Sequence, residues 1–240
     1  MRGFVVSDFL DALTNQFLLV GVLVTAGLTV AGLAGGLVLG LVLALLRASG
    51  NKAVGGVARG YIWFFRGTPL LIQMVMVYSG LPQVGIKFGV LVSVIVTLVL
   101  NEAAYMAEII RGGFLAVPPG QGDAAKALGL SRTLALRKVI LPQAIRIILP
   151  ALGNSVNGLL KATSIASVIS MEELMRRSEM IMQVKFDVLE VFAAAAVYYL
   201  VLTTLWDRVQ RWLERRFDPV ARTATAKAIA PAIEQAALPR

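Results

Sequence analysis

Five carboxylate or amide side chains interrupt two apolar stretches: Asn101, Glu102 and Glu108 in VTLVLNEAAYMAEII, and Asn154 and Asn157 in LPALGNSVNGLL. Inside a hydrocarbon layer such groups are costly, so each must face a cavity or a polar partner. Asn154 and Asn157 are three residues apart and fall on nearly the same helical face. Glu102 and Glu108 are separated by about 600°, at ~100° per residue, so they point in different directions and need separate explanations. Glu102 is the candidate for contact with a ligand. Glu108 suits a structural ion pair, with Arg66 or Arg111 as partner. For the asparagines, ligand contact and interhelical hydrogen bonding are equally open. The chain has no cysteine and no histidine, which removes thiolate nucleophiles, disulfides, imidazole acid–base chemistry and zinc sites built on those ligands. The expected chemistry is binding and passage of a polar solute, with no catalytic group and no metal.

The elements that hold these groups are membrane spans. Of 240 residues 58% are hydrophobic and 15% charged, with a mean hydropathy of +0.77, too apolar for a soluble domain. Runs of about 20 apolar residues satisfy their backbone in lipid only as helices, and these runs lack the alternation of a membrane β-barrel. The expectation is an all-α membrane protein with about five spans, near residues 17–46, 58–81, 88–110, 139–160 and 188–206, forming one domain over 1–218. The start, MRGFVVSDFLDALTNQ, is interrupted by Asp8 and Asp11, so the first span is expected to be retained rather than cleaved as a signal. In that span Gly32, Gly36 and Gly40 recur every fourth residue and leave one face without side chains, a surface on which another helix can pack closely. In FFRGTPLLIQ, Pro69 removes a backbone donor, so a bend is expected over Gly67–Pro69, a potential gate or pivot. The segment SIASVISMEELMRRSEMIMQVKFD is too charged to cross and reads as an external amphipathic helix. Residues 219–240, rich in Ala and Pro, are expected to form a flexible tail.

The net charge of +9 reflects lysines and arginines held on one side of the membrane. Arg47, Lys52, Arg59 and Arg66 mark one connection, and Arg111, Lys126, Arg132, Arg137, Lys138 and Arg146 mark another, with Asp123 the only acid in the latter. Arg208, Arg211, Arg215 and Arg216 follow the last span. Assigning these ends to the cytoplasm gives an N-out, C-in topology.

Between the third and fourth spans lies GDAAKALGLSRTLALRKVILP. Asp123 belongs in the first turn of a short helix, where an acid favours the positive end of the helix dipole. Gly129 can take the left-handed conformation that stops that helix, and Ser131 can cap the next. The loop over 118–138 is thus a helix-turn-helix knuckle. Ala124, Ala125, Leu128 and Leu130 are expected on its surface, where a protein partner or the lipid interface would cover them.

This loop resembles the cytoplasmic coupling loop of permease subunits of ATP-binding-cassette importers, with Ala124, Ala125, Gly129, Ile140 and Pro142 on the shared pattern and Asp123 where Glu is usual. FFRGTPLLIQ, AAYMAEIIRGGF and LPALGNSVNGLLKATS are similar to the second-, third- and fourth-span signatures of the polar amino acid subfamily, with Ser155 where Glu is frequent and Ala162 where Asp is. The resemblance implies a type I importer permease fold and a coupling helix, residues Asp123, Ala124, Ala125, Leu128, Gly129, Leu130 and Ser131, that docks on a separate ATPase. It also implies a mid-membrane substrate pocket around Asn101, Glu102, Asn154, Ser155 and Thr68. The implied partners are two ATP-binding subunits, which would hold ATP and Mg, a second permease copy or homologue, and an extracytoplasmic amino acid binding protein, all at a bacterial cytoplasmic membrane. The chain itself has no G-x-x-x-x-G-K-[ST] phosphate loop and is expected to bind no cofactor. The alternative is an ion-coupled secondary transporter of a small polar solute, which the buried acids would also suit.

Overall fold

The computed structural model describes residues 4–217, and the expected tail, 219–240, lies outside the described residues. No strand occurs among the described residues. The helices in chain order are α1 (Val6–Thr14), α2 (Gln16–Ala48), α3 (Lys52–Gly67), α4 (Leu70–Val75), α5 (Val90–Leu115), α6 (Gly120–Ala127), α7 (Arg132–Ala135), α8 (Leu141–Ala162), α9 (Leu174–Lys185) and α10 (Val188–Phe217). Wider turns extend α4 over Met76–Gly80 and join α7 to α8 over Leu136–Ile140.

Among the described residues four helical runs are long and apolar enough to cross a membrane: Gln16–Ala48, Val90–Leu115, Arg132–Ile169 and Val188–Phe217. The remaining expected span, 58–81, is interrupted. α3 ends at Gly67, Thr68 is extended (φ −113°, ψ 144°), and α4 begins after Pro69. Proline cannot donate to the preceding turn, so the break falls where FFRGTPLLIQ places it. The α1 helix was not anticipated, because a nine-residue segment with two aspartates carries no span signal.

The chain packs as two compact units, one formed by the described residues through Arg111 with Asn154–Leu205, the other by Gly112–Gly153 with the described residues from Trp206. In the first, the glycine stripe of α2 meets α5. A Cβ on Gly32 would lie 3.2 Å from Leu98 Cβ, one on Gly36 2.8 Å from Glu102 Cβ, and one on Gly40 2.9 Å from the Ala103 carbonyl. The backbones approach so closely because no side chain intervenes. Leu28, Met74, Val94, Leu98 and Leu159 form the neighbouring core. The amphipathic segment becomes α9, which packs on α2 rather than standing apart: Leu174 is fully buried with Leu18, and the Arg177 guanidinium lies 4.2 Å from the Phe17 ring centre. Glu173, fully buried, caps α9 by accepting from the Met175 and Arg176 amides at 2.9 and 2.8 Å. In the second unit, Gly113 admits the Ile148 side chain, and the Trp206 indole donates to the Gly153 carbonyl at 2.9 Å.

Candidate functional site

The break after α3 exposes backbone carbonyls that a membrane interior cannot hydrate. Side chains satisfy them. The Gln73 amide nitrogen lies 2.9 Å from the Phe65 carbonyl, 3.1 Å from the Thr68 carbonyl and 2.9 Å from the Thr68 hydroxyl. Asn101, from α5, donates to the Phe65 carbonyl at 3.2 Å and to the Gln73 side-chain oxygen at 3.0 Å. A polar clasp therefore fixes the break against α5. Gln73 was missed in the sequence because an amide at a helix start reads as an ordinary polar residue until the orphan carbonyls beside it are seen.

Beside the clasp is a cavity of about 430 Å³ lined by Thr68, Pro69, Asn101, Glu102, Tyr105 and Ser155, with Leu70, Leu159 and Ile165 among its apolar walls. Glu102 is only 4% exposed and accepts a 2.7 Å hydrogen bond from the Ser155 hydroxyl. Gly36 makes room for it, since any larger residue there would collide with the Glu102 side chain. The arrangement offers one carboxylate, three hydroxyl-bearing residues (Thr68, Tyr105 and Ser155) and one amide in a largely apolar enclosure, the composition of a small-molecule pocket. Of the residues expected at a pocket, Thr68, Asn101, Glu102 and Ser155 come together here. Asn154 is exposed and outside the lining, because it lies one position, about 100° of helix, from Ser155. Pro69 lines this cavity, whereas Gly67 is not among its lining residues.

Glu108 has the other role anticipated for it. Its carboxylate pairs with Arg47 and, at 2.7 Å, with Arg111, and Arg66 approaches at 3.8 Å. Arg47 was not expected as a partner; it lies 61 positions away in the chain, and only the α2–α5 packing brings it near.

The knuckle belongs to the second unit and is built as its spacing suggests. Asp123 is in the first turn of α6 and its carboxylate lies 3.4 Å from Lys126. Gly129 has φ +75°, and the Leu130 amide donates back to the Ala125 carbonyl at 3.0 Å, closing a Schellman-type stop. Ser131 caps α7, accepting from the Leu134 amide at 3.4 Å. Leu128 is 80% exposed and Ala124 is exposed beside it. Ala125 departs from the expected surface: it is 2% exposed, because α6 folds back on α7 and the turn that follows it, and Leu130 is half-buried for the same reason. The outward face of the knuckle is therefore Ala124, Leu128 and the rim around them.

Membrane-length helices around an acidic cavity, with an apolar knuckle on a helix connection, define a multi-pass membrane component of a transport system. The chain belongs to the family of binding-protein-dependent transport system inner membrane components, whose pattern matches residues 36–219. It is 39% identical to the arginine transport system permease protein ArgU of Corynebacterium glutamicum, over 86% of this chain and 70% of that one. It is 40% identical to the glutamine transport system permease protein GlnP of Escherichia coli K12, over 83% and 92%, and 40% identical to the octopine transport system permease protein OccM of Rhizobium meliloti, over 83% and 87%. Among solved structures, an amino acid ABC transporter crystallised with histidines matches at 40% identity and a TM-score of 0.79, covering 83% of this chain and 94% of that one. The inward-facing MetNI methionine ABC transporter, 23% identical with a TM-score of 0.71 over 85% and 97%, agrees in fold. The fold is that of a type I ABC importer permease, and the chain is a transport component of the inner membrane.

Proposed function

We propose that this chain is the permease subunit of an ATP-driven importer that carries a polar amino acid across a bacterial cytoplasmic membrane. The observation that carries the substrate class is the buried Glu102 carboxylate in a 430 Å³ cavity with Ser155, Asn101 and Thr68. A zwitterion's ammonium needs such an acceptor, and the relatives named for arginine, glutamine and octopine support the same chemistry. Asn154 remains a candidate contact for a rearranged state of the pathway.

In this reading the knuckle is a coupling helix. Ala124 and Leu128 enter a groove on a separate ATPase, and Gly129 and Ser131 hold the turn that presents them. Two such ATPase subunits bind ATP and Mg and hydrolyse the nucleotide. A second permease copy or homologue completes the path, and an extracytoplasmic binding protein delivers the amino acid. The arginine-rich helix ends face the cytoplasm, giving N-out and C-in. The break at Gly67–Pro69 is the pivot on which the cavity opens.

The test is uptake into proteoliposomes holding the chain with its ATPase and binding protein. The expected result is accumulation of a labelled polar amino acid that requires internal ATP and the binding protein. Accumulation driven by an ion gradient without ATP would instead establish the secondary-transporter alternative.

A further inference from the structure

Gly158 lines the Glu102 cavity from inside α8, where a glycine costs about 0.5–1 kcal/mol relative to alanine. Neither usual reason for accepting that cost applies. Its φ is not positive, so the backbone would accept a side chain without strain. Beyond its own helical turn, no atom of the described residues lies within 4 Å of a Cβ built there, so no close packing demands a glycine. Gly36 differs, since a Cβ there would stand 2.8 Å from Glu102 Cβ. What the missing side chain of Gly158 leaves is cavity space: the residue is exposed, while Val156 and Leu159 beside it on α8 are buried.

Its neighbours give that space a direction. Ser155, Gly158 and Ala162 all line the cavity and are spaced by three and four residues, so they stack along one face of α8 over about 10 Å, at ~1.5 Å per residue. At the Ser155 end stands Glu102, the single charged group in the lining among the described residues, bonded to the Ser155 hydroxyl at 2.7 Å. Toward the other end the lining is apolar, with Leu159, Ala162 and Ile165. One carboxylate with a bare apolar strip leading away from it fits an ammonium group that carries a chain of methylenes. On the amino acid reading of this cavity, we propose that Gly158 is a specificity-determining residue that sets the length of side chain the cavity accepts. The ammonium sits at Glu102 and Ser155, and a long unbranched side chain lies along Gly158 toward Ala162. The substrate class is therefore amino acids with an extended methylene stem, and any larger residue at this position would shorten the stem that fits.

The chain has no cysteine, so one introduced thiol is unique in it. The experiment labels the full chain, purified in mild detergent with its associated subunits, with N-ethylmaleimide and reads the mass of this chain. Ser155→Cys reports the ammonium end and Gly158→Cys reports the stem. The probes are L-arginine, L-glutamine and L-alanine, the last having the same ammonium and carboxylate but no stem. Both thiols are expected to react. At Ser155→Cys, arginine or glutamine should half-protect at a concentration about tenfold or more below that of alanine, because only they bury methylenes. At Gly158→Cys the same long probe should protect, whereas alanine should not, even at a concentration that protects Ser155→Cys. Adding Gly158→Leu to Ser155→Cys should erase the advantage of the long probe and leave alanine unchanged. Should that variant fail to fold, Gly158→Ala serves instead, with part of the advantage lost and a denaturation midpoint equal to or above that of the wild type. A Gly158→Cys thiol that does not react, equal protection there by alanine, an undiminished advantage in the Gly158 variants, or a lowered midpoint in Gly158→Ala would each overturn the length role. The amino acid reading of the cavity survives any of these while Ser155→Cys is still protected. Failure of all three probes to protect Ser155→Cys would overturn both.

Discussion

Glu102 and Glu173 are both carboxylates buried among helices, yet their neighbours give them opposite uses. Glu102 accepts from Ser155 and has open cavity beside it, so acceptor capacity remains for a ligand. Glu102→Gln keeps size and removes charge; the KM of amino acid uptake is expected to rise about tenfold or more with the complex still assembled. Unaltered kinetics would remove Glu102 from the pocket. Glu173 is saturated: the Met175 and Arg176 amides donate to it, as do the Thr25 hydroxyl at 3.4 Å and the Tyr199 hydroxyl at 3.2 Å. It joins α2, α9 and α10, and Glu173→Ala should cost about 1–3 kcal/mol by orphaning those donors, read as a lower denaturation midpoint. Burial pushes the Glu173 carboxyl up, and its four donors only partly oppose this. The folded chain then holds that proton more tightly than the unfolded chain does. Its contribution to stability is fully present below the unfolded carboxyl's range and is lost as pH rises through the raised value. A melting series in pH should therefore be steeper for the wild type than for Glu173→Gln.

At the scale of elements, the α2–α5 contact and the interrupted second span set where Glu102 stands. Gly40→Val would drive a branched side chain against the Ala103 carbonyl, and a loss of about 1–3 kcal/mol is expected in thermal melts. Gly27→Ala is the control, because nothing lies within 4 Å of a Cβ there and the added methyl should leave stability equal or higher. Both glycines look alike in the sequence, but only the four-residue period of Gly32, Gly36 and Gly40 marks a packing face, and that period was legible. So was the knuckle, since an acid in the first turn, a glycine stop and a serine cap follow local rules that need no tertiary partner. The break at Thr68 was legible from Pro69 for the same reason. What closes the break was not: Asn101 reaches Gln73 across 28 positions and Arg47 reaches Glu108 across 61, and no local pattern encodes those meetings. The inward turn of Ala125 was hidden likewise, because burial there depends on α6 folding back on its successor. If the break is a pivot, Pro69→Ala, which restores a backbone donor, should lower turnover several-fold with little change in assembly. Unchanged uptake per complex would assign the break a static role.

For the molecule as a whole, the proposed function requires that energy arrive from another chain through a small apolar knuckle. No phosphate loop is present in the sequence, while Leu128 is 80% exposed beside Ala124 on a turn whose backbone is set by Gly129. In the proposed function this exposed leucine on so ordered a turn is the docking group, and a charge there should be tolerated by the fold and rejected by the partner. The most direct measurement is therefore purification of the tagged chain in mild detergent with identification of what comes with it, comparing wild type with Leu128→Asp. Recovery of a subunit carrying a G-x-x-x-x-G-K-[ST] phosphate loop with the wild type, and its loss from an otherwise intact Leu128→Asp chain, is the predicted result. Retention of that subunit in Leu128→Asp, or a folded wild-type chain that carries out uptake with no such subunit present, would contradict it.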